Sequence, residues 1–157
     1  LFVDLEDQGE DKGQNPESWA LGAQHFAKNM PRSSVDYRFG ILLDMVGAEN
    51  AQFPKEQIGQ VYAKDFHNKV WNLAQAMGYG NYFLDKKVGG VTDDHYFINK
   101  YAGIPTIDII DKRNTEKGFF PQWHTTEDNM KHIDKSTLRA VGQVTLAVVY
   151  KSYNGDF

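Results

Sequence analysis

Two stretches of this chain are near-continuously apolar, and they limit the possible fold more than any other feature. Residues 38–46 include Phe39, Ile41, Leu42, Leu43, Met45 and Val46, and residues 104–110 run from Ile104 to Ile110. A strand with one wet face alternates apolar and polar residues, whereas a near-continuous apolar run suits a strand covered on both faces of an α/β sheet. Two further strand candidates are residues 1–5 and, more weakly, 82–84. Helical patterns fall between them. Asn15 is placed to N-cap a helix with Pro16 at its first position, running to about Asn29 with Pro31 beyond as a stop. Ile58, Tyr62, Phe66, Val70, Leu73 and Met77 recur every three or four residues, which predicts one long amphipathic helix from about Lys55 that ends at Gly78. A short helix is predicted from about Asp94 to Ala102, with Gly103 at its exit, and a last one from near Asp134 or Ser136 that carries Leu138, Val141, Val144, Val148 and Val149. Strand and helix alternate throughout, which predicts an α/β fold of three α/β/α layers.

Composition narrows the chemistry. The 157 residues, 41% of them hydrophobic, suffice for one domain core and not for two independent ones. Cysteine is absent, so thiolate metal sites and thiol nucleophiles are excluded and any metal must rest on His and carboxylate. A net charge of −4 with no Lys/Arg block gives no electrostatic footprint for nucleic acid or an anionic membrane. No apolar run reaches the roughly 20 residues of a membrane span. The chain opens Leu1-Phe2-Val3-Asp4-Leu5, without Met and already in a strand-like run, and is expected to be a piece of a longer protein.

Four groups of residues stand out as candidates for chemistry. Glu6 and Asp7 directly follow the first strand candidate, and open α/β sheets bind ligands beyond the carboxyl ends of their strands. Adjacent side chains in extended backbone point to opposite sides, so one carboxylate can face a metal and the other a proton; a solvated acidic loop that continues through Glu10, Asp11 and Lys12 is the alternative. Asp44 interrupts an apolar run, where an unpaired buried carboxylate would cost several kcal/mol, so it either caps a turn before Gly47 or joins a metal or proton network. Asp93-Asp94-His95 opens the short helix; one Asp can serve as its cap, which leaves the second to be explained. His124 lies behind Trp123 in a polar segment and is a possible nitrogen ligand, while His25, His67 and His132 are expected to be structural.

Taken together, Asp4-Leu5-Glu6-Asp7, Leu21-Gly22-Ala23, Leu43-Asp44-Met45-Val46-Gly47-Ala48, Asp93-Asp94-His95-Tyr96-Phe97 with Gly103-Ile104-Pro105, and Trp123-His124-Thr125 with Asp128-Asn129 occur in the order used by the zinc exopeptidase superfamily. The chain resembles the C-terminal part of a single M28-type peptidase domain spanning residues 1–157, with a mixed central sheet. Within that group it is most similar to glutaminyl cyclases. The doubled acid before His95, Phe53-Pro54 after the Asp44 run, and Trp123 before His124 point that way.

Residue by residue, the resemblance implies that Glu6 is the general acid/base and that Asp7 and His124 ligate zinc. It places Asp44, Asp93 and Asp94 in the proton network and Trp123 and His95 against substrate. Asp7 stands where mammalian cyclases have Glu. A cyclase would hold one zinc and close pyroglutamate from N-terminal Gln with loss of ammonia. The alternative, an aminopeptidase, would hold two, Asp44 binding the second, and a non-catalytic binding module on the same fold is a third reading. A third zinc ligand is expected from an Asp upstream of Leu1. The implied partners are peptide or protein N-termini, in a periplasmic or secreted setting.

Overall fold

In a computed structural model of the chain, residues 1–7, 9–10, 15–31 and 36–157 are described; Asp11 and Lys12, part of the acidic-loop reading, lie outside them. The chain divides into two compact units, one made of residues 1–42, 56–66 and 89–108, the other of 43–55, 67–88 and 109–157.

Strand β1 (Gly40–Asp44) pairs with β4 (Thr106–Ile110), the backbone N–H of Gly40 donating to the Pro105 carbonyl at 2.9 Å. All five residues of β4 are buried, as its apolar run requires. Close approach of the strands depends on Gly40, because a Cβ there would lie 2.6 Å from the Thr106 hydroxyl.

In the first unit, helix α1 (Leu21–Lys28) packs against α4 (Asp94–Phe97) and the π-helical turn Ile98–Ala102 that continues it, through a core of Ala20, Ala23 and Phe97 with Val3, Tyr96, Ile98 and Tyr101 around it. The sequence places one helix from Pro16 to Asn29. The structure has a 3-10 turn at Pro16–Ser18, a break, and then α1. Asn15 makes no side-chain cap. Ala20 sits in the left-handed region at φ 52°, and the first N–H groups of the helix are satisfied from elsewhere: Ala20, Leu21 and Gly22 donate to the carbonyls of Glu6, Leu5 and Asp4 at 3.0–3.1 Å. Residues 1–5, expected to be a strand, form none, and the carbonyls of Asp4 and Leu5 serve the helix end.

The expected long helix from Lys55 is also divided. Residues Phe53–Glu56 form strand β2, Glu56 caps α2 (Gln57–Tyr62), and Ala63, at φ −137°, interrupts the helix before α3 (Lys64–Ala76).

The second unit contains the pairing of β2 with β3 (Phe83–Val88), reinforced by a Lys55–Asp85 ion pair at 2.7 Å. Phe53, Trp71 and Phe83 form its aromatic centre, with ring centroids of Phe83 5.3 Å from both others and the Trp71 indole N–H donating to the Phe53 carbonyl at 2.9 Å. His67, fully buried beside Trp71 at 4.3 Å, is structural as expected. Helix α5 (Lys135–Tyr153) starts where the sequence indicated, with the Asp134 carboxylate accepting from the Thr137 backbone N–H, and buries Val141, Val144 and Val148. Among the described residues no helix is long and apolar enough to cross a membrane.

Phe83 is at the hub of this aromatic cluster, so Phe83→Ala is expected to cost about 3–5 kcal/mol of stability in the whole protein. Chemical denaturation measures it as a lowered midpoint with little change in slope.

Candidate functional site

In the first unit, the chain from Val3 to Asp7 lines an open cleft of about 260 Å³. Glu6 is half-buried and Asp7 exposed, each within a segment whose backbone carbonyls are tied to the start of α1. Gly22 makes that tie possible: a Cβ at this position would stand 2.3 Å from the Asp4 carbonyl oxygen and 2.7 Å from its nitrogen. The same helix packs against α4, which carries the second acidic pair, so Glu6–Asp7 and Asp93–Asp94 are positioned from one support.

Asp93 and Asp94 are not a solvated surface pair. Each is 5% exposed. Asp93 is the N-cap, its Oδ1 accepting from the Asp94 backbone N–H at 2.5 Å and its carbonyl from Tyr96 at 2.9 Å. His95, which the resemblance sets against substrate, follows Asp94 in the chain. The ring is fully buried, with Nε2 3.4 Å from Glu56 Oε1 and Nδ1 3.8 Å from Asp108 Oδ2, and both carboxylates are fully buried too. A ring enclosed on both nitrogens by protein carboxylates acts inside the fold.

Glu56 and Asp108 were not among the residues singled out from the sequence. Asp108 interrupts an apolar strand as Asp44 does, and the same signal marks it. Glu56 was hidden by the predicted long helix, whose start it caps by accepting from the backbone N–H groups of Ile58 at 2.6 Å and Gly59. Burial pushes its carboxyl upward, but His95 and those two N–H donors outweigh burial and hold it below the usual carboxylate range.

In the second unit, Asp44 is the last residue of β1 and half-buried, followed by a turn in which Gly47 accepts from Asp134 N at 2.8 Å. Met45 lines a small cavity of about 70 Å³ together with Asp128 and His132. His124 is exposed, and its ring stacks on Trp123 with centroids 4.0 Å apart and planes 23° apart. Phe119 supports Trp123 from 4.6 Å. The tryptophan is half-buried, so it presents part of an aromatic surface beside an accessible imidazole.

Backbone strain connects these places. Five non-glycine residues among the described ones take positive φ: Leu5, Ala20, Met45, Asn50 and His124. Leu5 precedes Glu6, Ala20 donates to the Glu6 carbonyl, Met45 follows Asp44, and His124 is itself a candidate ligand. Such conformations cost on the order of 1–3 kcal/mol each and persist where the surrounding structure enforces them, often at functional sites. For Leu and Met, whose side chains cannot hydrogen-bond to the local backbone, the left-handed region is particularly unfavourable; at Leu5 the backbone N–H donates to Asp4 Oδ1 at 2.7 Å.

Asp7 and His124 are the donor types that zinc takes and both are accessible. Among the described residues, however, no group of three or more His, Asp or Glu is arranged to hold a metal ion. Two protein donors are fewer than a zinc shell needs.

Comparison with known proteins adds the family context. The model of peptidase family M28 matches residues 1–149. A glutaminyl cyclase from Bacteroides thetaiotaomicron, solved with N-acetylhistamine, is 48% identical over 95% of this chain with a TM-score of 0.89. A leucine aminopeptidase precursor from the same species is also 48% identical over 95% of this chain, with a TM-score of 0.87. Aminopeptidase YwaD of Bacillus subtilis is 28% identical over 84% of this chain. The chain spans 52% and 51% of the two solved structures and 29% of the curated relative.

A depressed folded-state pKa at Glu56 makes a signed prediction. Its contribution to stability is present above the ordinary carboxylate value of 4.5 and is lost as pH falls below it, through the folded pKa. Glu56→Gln is therefore expected to be less stable at neutral pH and to show a shallower loss of stability on acidification, as followed by thermal melting from pH 7 to 3.

Proposed function

Because this chain belongs to peptidase family M28, we propose that it is the C-terminal part of a zinc-dependent glutaminyl-peptide cyclotransferase, which converts N-terminal Gln to pyroglutamate and releases ammonia. The observation that carries the choice is the supported Trp123–His124 stack, an aromatic wall beside a possible ligand, suited to enclosing a small side chain. Asp7 and His124 are the residues of this chain that would hold zinc. When bound, zinc polarises the γ-carbonyl of the substrate glutamine.

Glu6 takes a proton from the attacking α-amine and returns it to the leaving ammonia, a task for a carboxyl group in a partly desolvated place. Half-burial beside a fixed loop gives Glu6 that setting. Asp93 and Asp94, withdrawn from water, and Asp44 share charge and protons with the reacting amide, and Trp123 limits the size of the side chain admitted. The substrates are peptide or protein N-termini.

The second reading is an M28 aminopeptidase, favoured by the leucine aminopeptidase precursor that is as similar to this chain as the cyclase is. In that reaction Glu6 activates water against a peptide carbonyl, and Asp44 helps to hold a second metal.

In the whole protein, Glu6→Gln is expected to lower turnover by about 10²–10⁴-fold, the range of a lost general acid/base, with zinc retained. Ammonia release from a Gln-initiated peptide, with no free amino acid, is the expected product. Free amino acid together with two tightly bound zincs per chain would overturn the cyclase assignment.

A further inference from the structure

The first unit contains a buried arrangement that the proposed reaction does not use directly. Glu56, His95 and Asp108 are each 0% exposed and come from three separate elements: the end of β2, the first turn of α4 and the middle of β4. The His95 nitrogens face one carboxylate each, at 3.4 and 3.8 Å. An imidazole flanked in this way resists rotation, because turning the ring would leave buried carboxylates without a counter-group.

The backbone at this point is fastened as well. The His95 carbonyl accepts from Asn99 Nδ2 at 2.8 Å, the same amide nitrogen donates to the Thr106 carbonyl at 2.8 Å, and Asn99 Oδ1 accepts from Thr106 N at 3.0 Å. Asn99 reaches Thr106 from the π-helical turn Ile98–Ala102, a form that is rare in general and frequent at functional sites. The main chain of His95 is thus tied to β4 through Asn99, and its ring faces Asp108 of the same strand at 3.8 Å. Asp93 and Asp94 are the two residues immediately before it and move with it.

We infer that Glu56, His95 and Asp108 form a buried clamp that positions the Asp93–Asp94 pair for the reaction. They are positioning residues and touch no substrate. A core filled only for stability would use apolar side chains of similar volume here, since a buried ion pair seldom stabilises more than its hydrophobic replacement. What the charged arrangement adds is a fixed ring orientation, and with it a fixed start of α4. This inference rests on the proposed role of Asp93 and Asp94.

The test compares Glu56→Gln, Asp108→Asn and the conservative Glu56→Asp in the zinc-loaded whole protein. Removing such outer supports typically costs about 10–100-fold in activity. The expected result is a loss of that size in kcat for either neutral variant, KM within about twofold, unchanged zinc content, and partial recovery in Glu56→Asp. In NMR spectra of the unmodified protein a His95 ring N–H should be protected from exchange, and the neutral variants should lose that protection.

Unchanged kcat in correctly folded neutral variants would overturn the clamp, as would rapid exchange at both ring nitrogens of the unmodified protein. If the neutral variants do not fold, Glu56→Asp and the exchange measurement decide. Failure of the cyclase reading is a separate result, seen in the unmodified protein as amino acid release in place of ammonia. The kcat comparison is then made on that reaction.

Discussion

A carboxylate in the middle of a strand buried on both faces has to be matched by another polar group, and Asp108 in β4 imposes that condition on the first unit. The match comes from His95, and since His95 has a second nitrogen, a second buried carboxylate, Glu56, is drawn in. Glu56 then ends β2 and caps α2, while His95 fixes the beginning of α4. One ionisable group inside β4 thereby connects the placement of three other elements. The acidic pair before His95 inherits its position from this chain of requirements.

The cleft near Glu6 is organised by a different economy of polar groups. A helix start leaves N–H groups without intrahelical partners, and α1 meets that need with main-chain carbonyls of residues 4–6 in place of a capping side chain. This ties the segment to a packed helix. It also accepts strain at Leu5 and Ala20. Positive φ recurs at Met45, next to Asp44, and at His124.

Much of this was readable from residues alone, and the failures have specific causes. The start of the last helix near Asp134, the inward-facing Val141, Val144 and Val148 and the exit of the α4 segment at Gly103 are local signals that agree with the structure, whereas Leu138 and Val149 of the same stripe are exposed. Glu56 was missed because the periodicity of Ile58 to Met77 runs smoothly across Ala63, where the chain leaves helical geometry; a hydrophobic pattern records which side faces the core and not whether the backbone is continuous. Residues 1–5 have the composition of a strand, but a strand also needs a neighbour to pair with, and the carbonyls of Asp4 and Leu5 are engaged by α1. The resemblance set His95 against substrate, and nothing in the residues around it signals its burial. Its burial depends on Glu56 and Asp108, which lie 39 residues before it and 13 after it, beyond the reach of any local pattern.

The π-helical turn at Ile98–Ala102 makes the length of this segment matter as much as its composition. A π turn contains a residue more than the α-helical turn it replaces, so deletion of a single residue there could restore ordinary helical hydrogen bonding and improve the local backbone. Each residue advances an α-helix by about 100°, and that repair would swing Asn99 away from Thr106. The segment is therefore a place where a gain in local regularity would be bought with loss of registration between α4 and β4. Sequence drift by substitution is tolerable here in a way that drift by insertion or deletion is not.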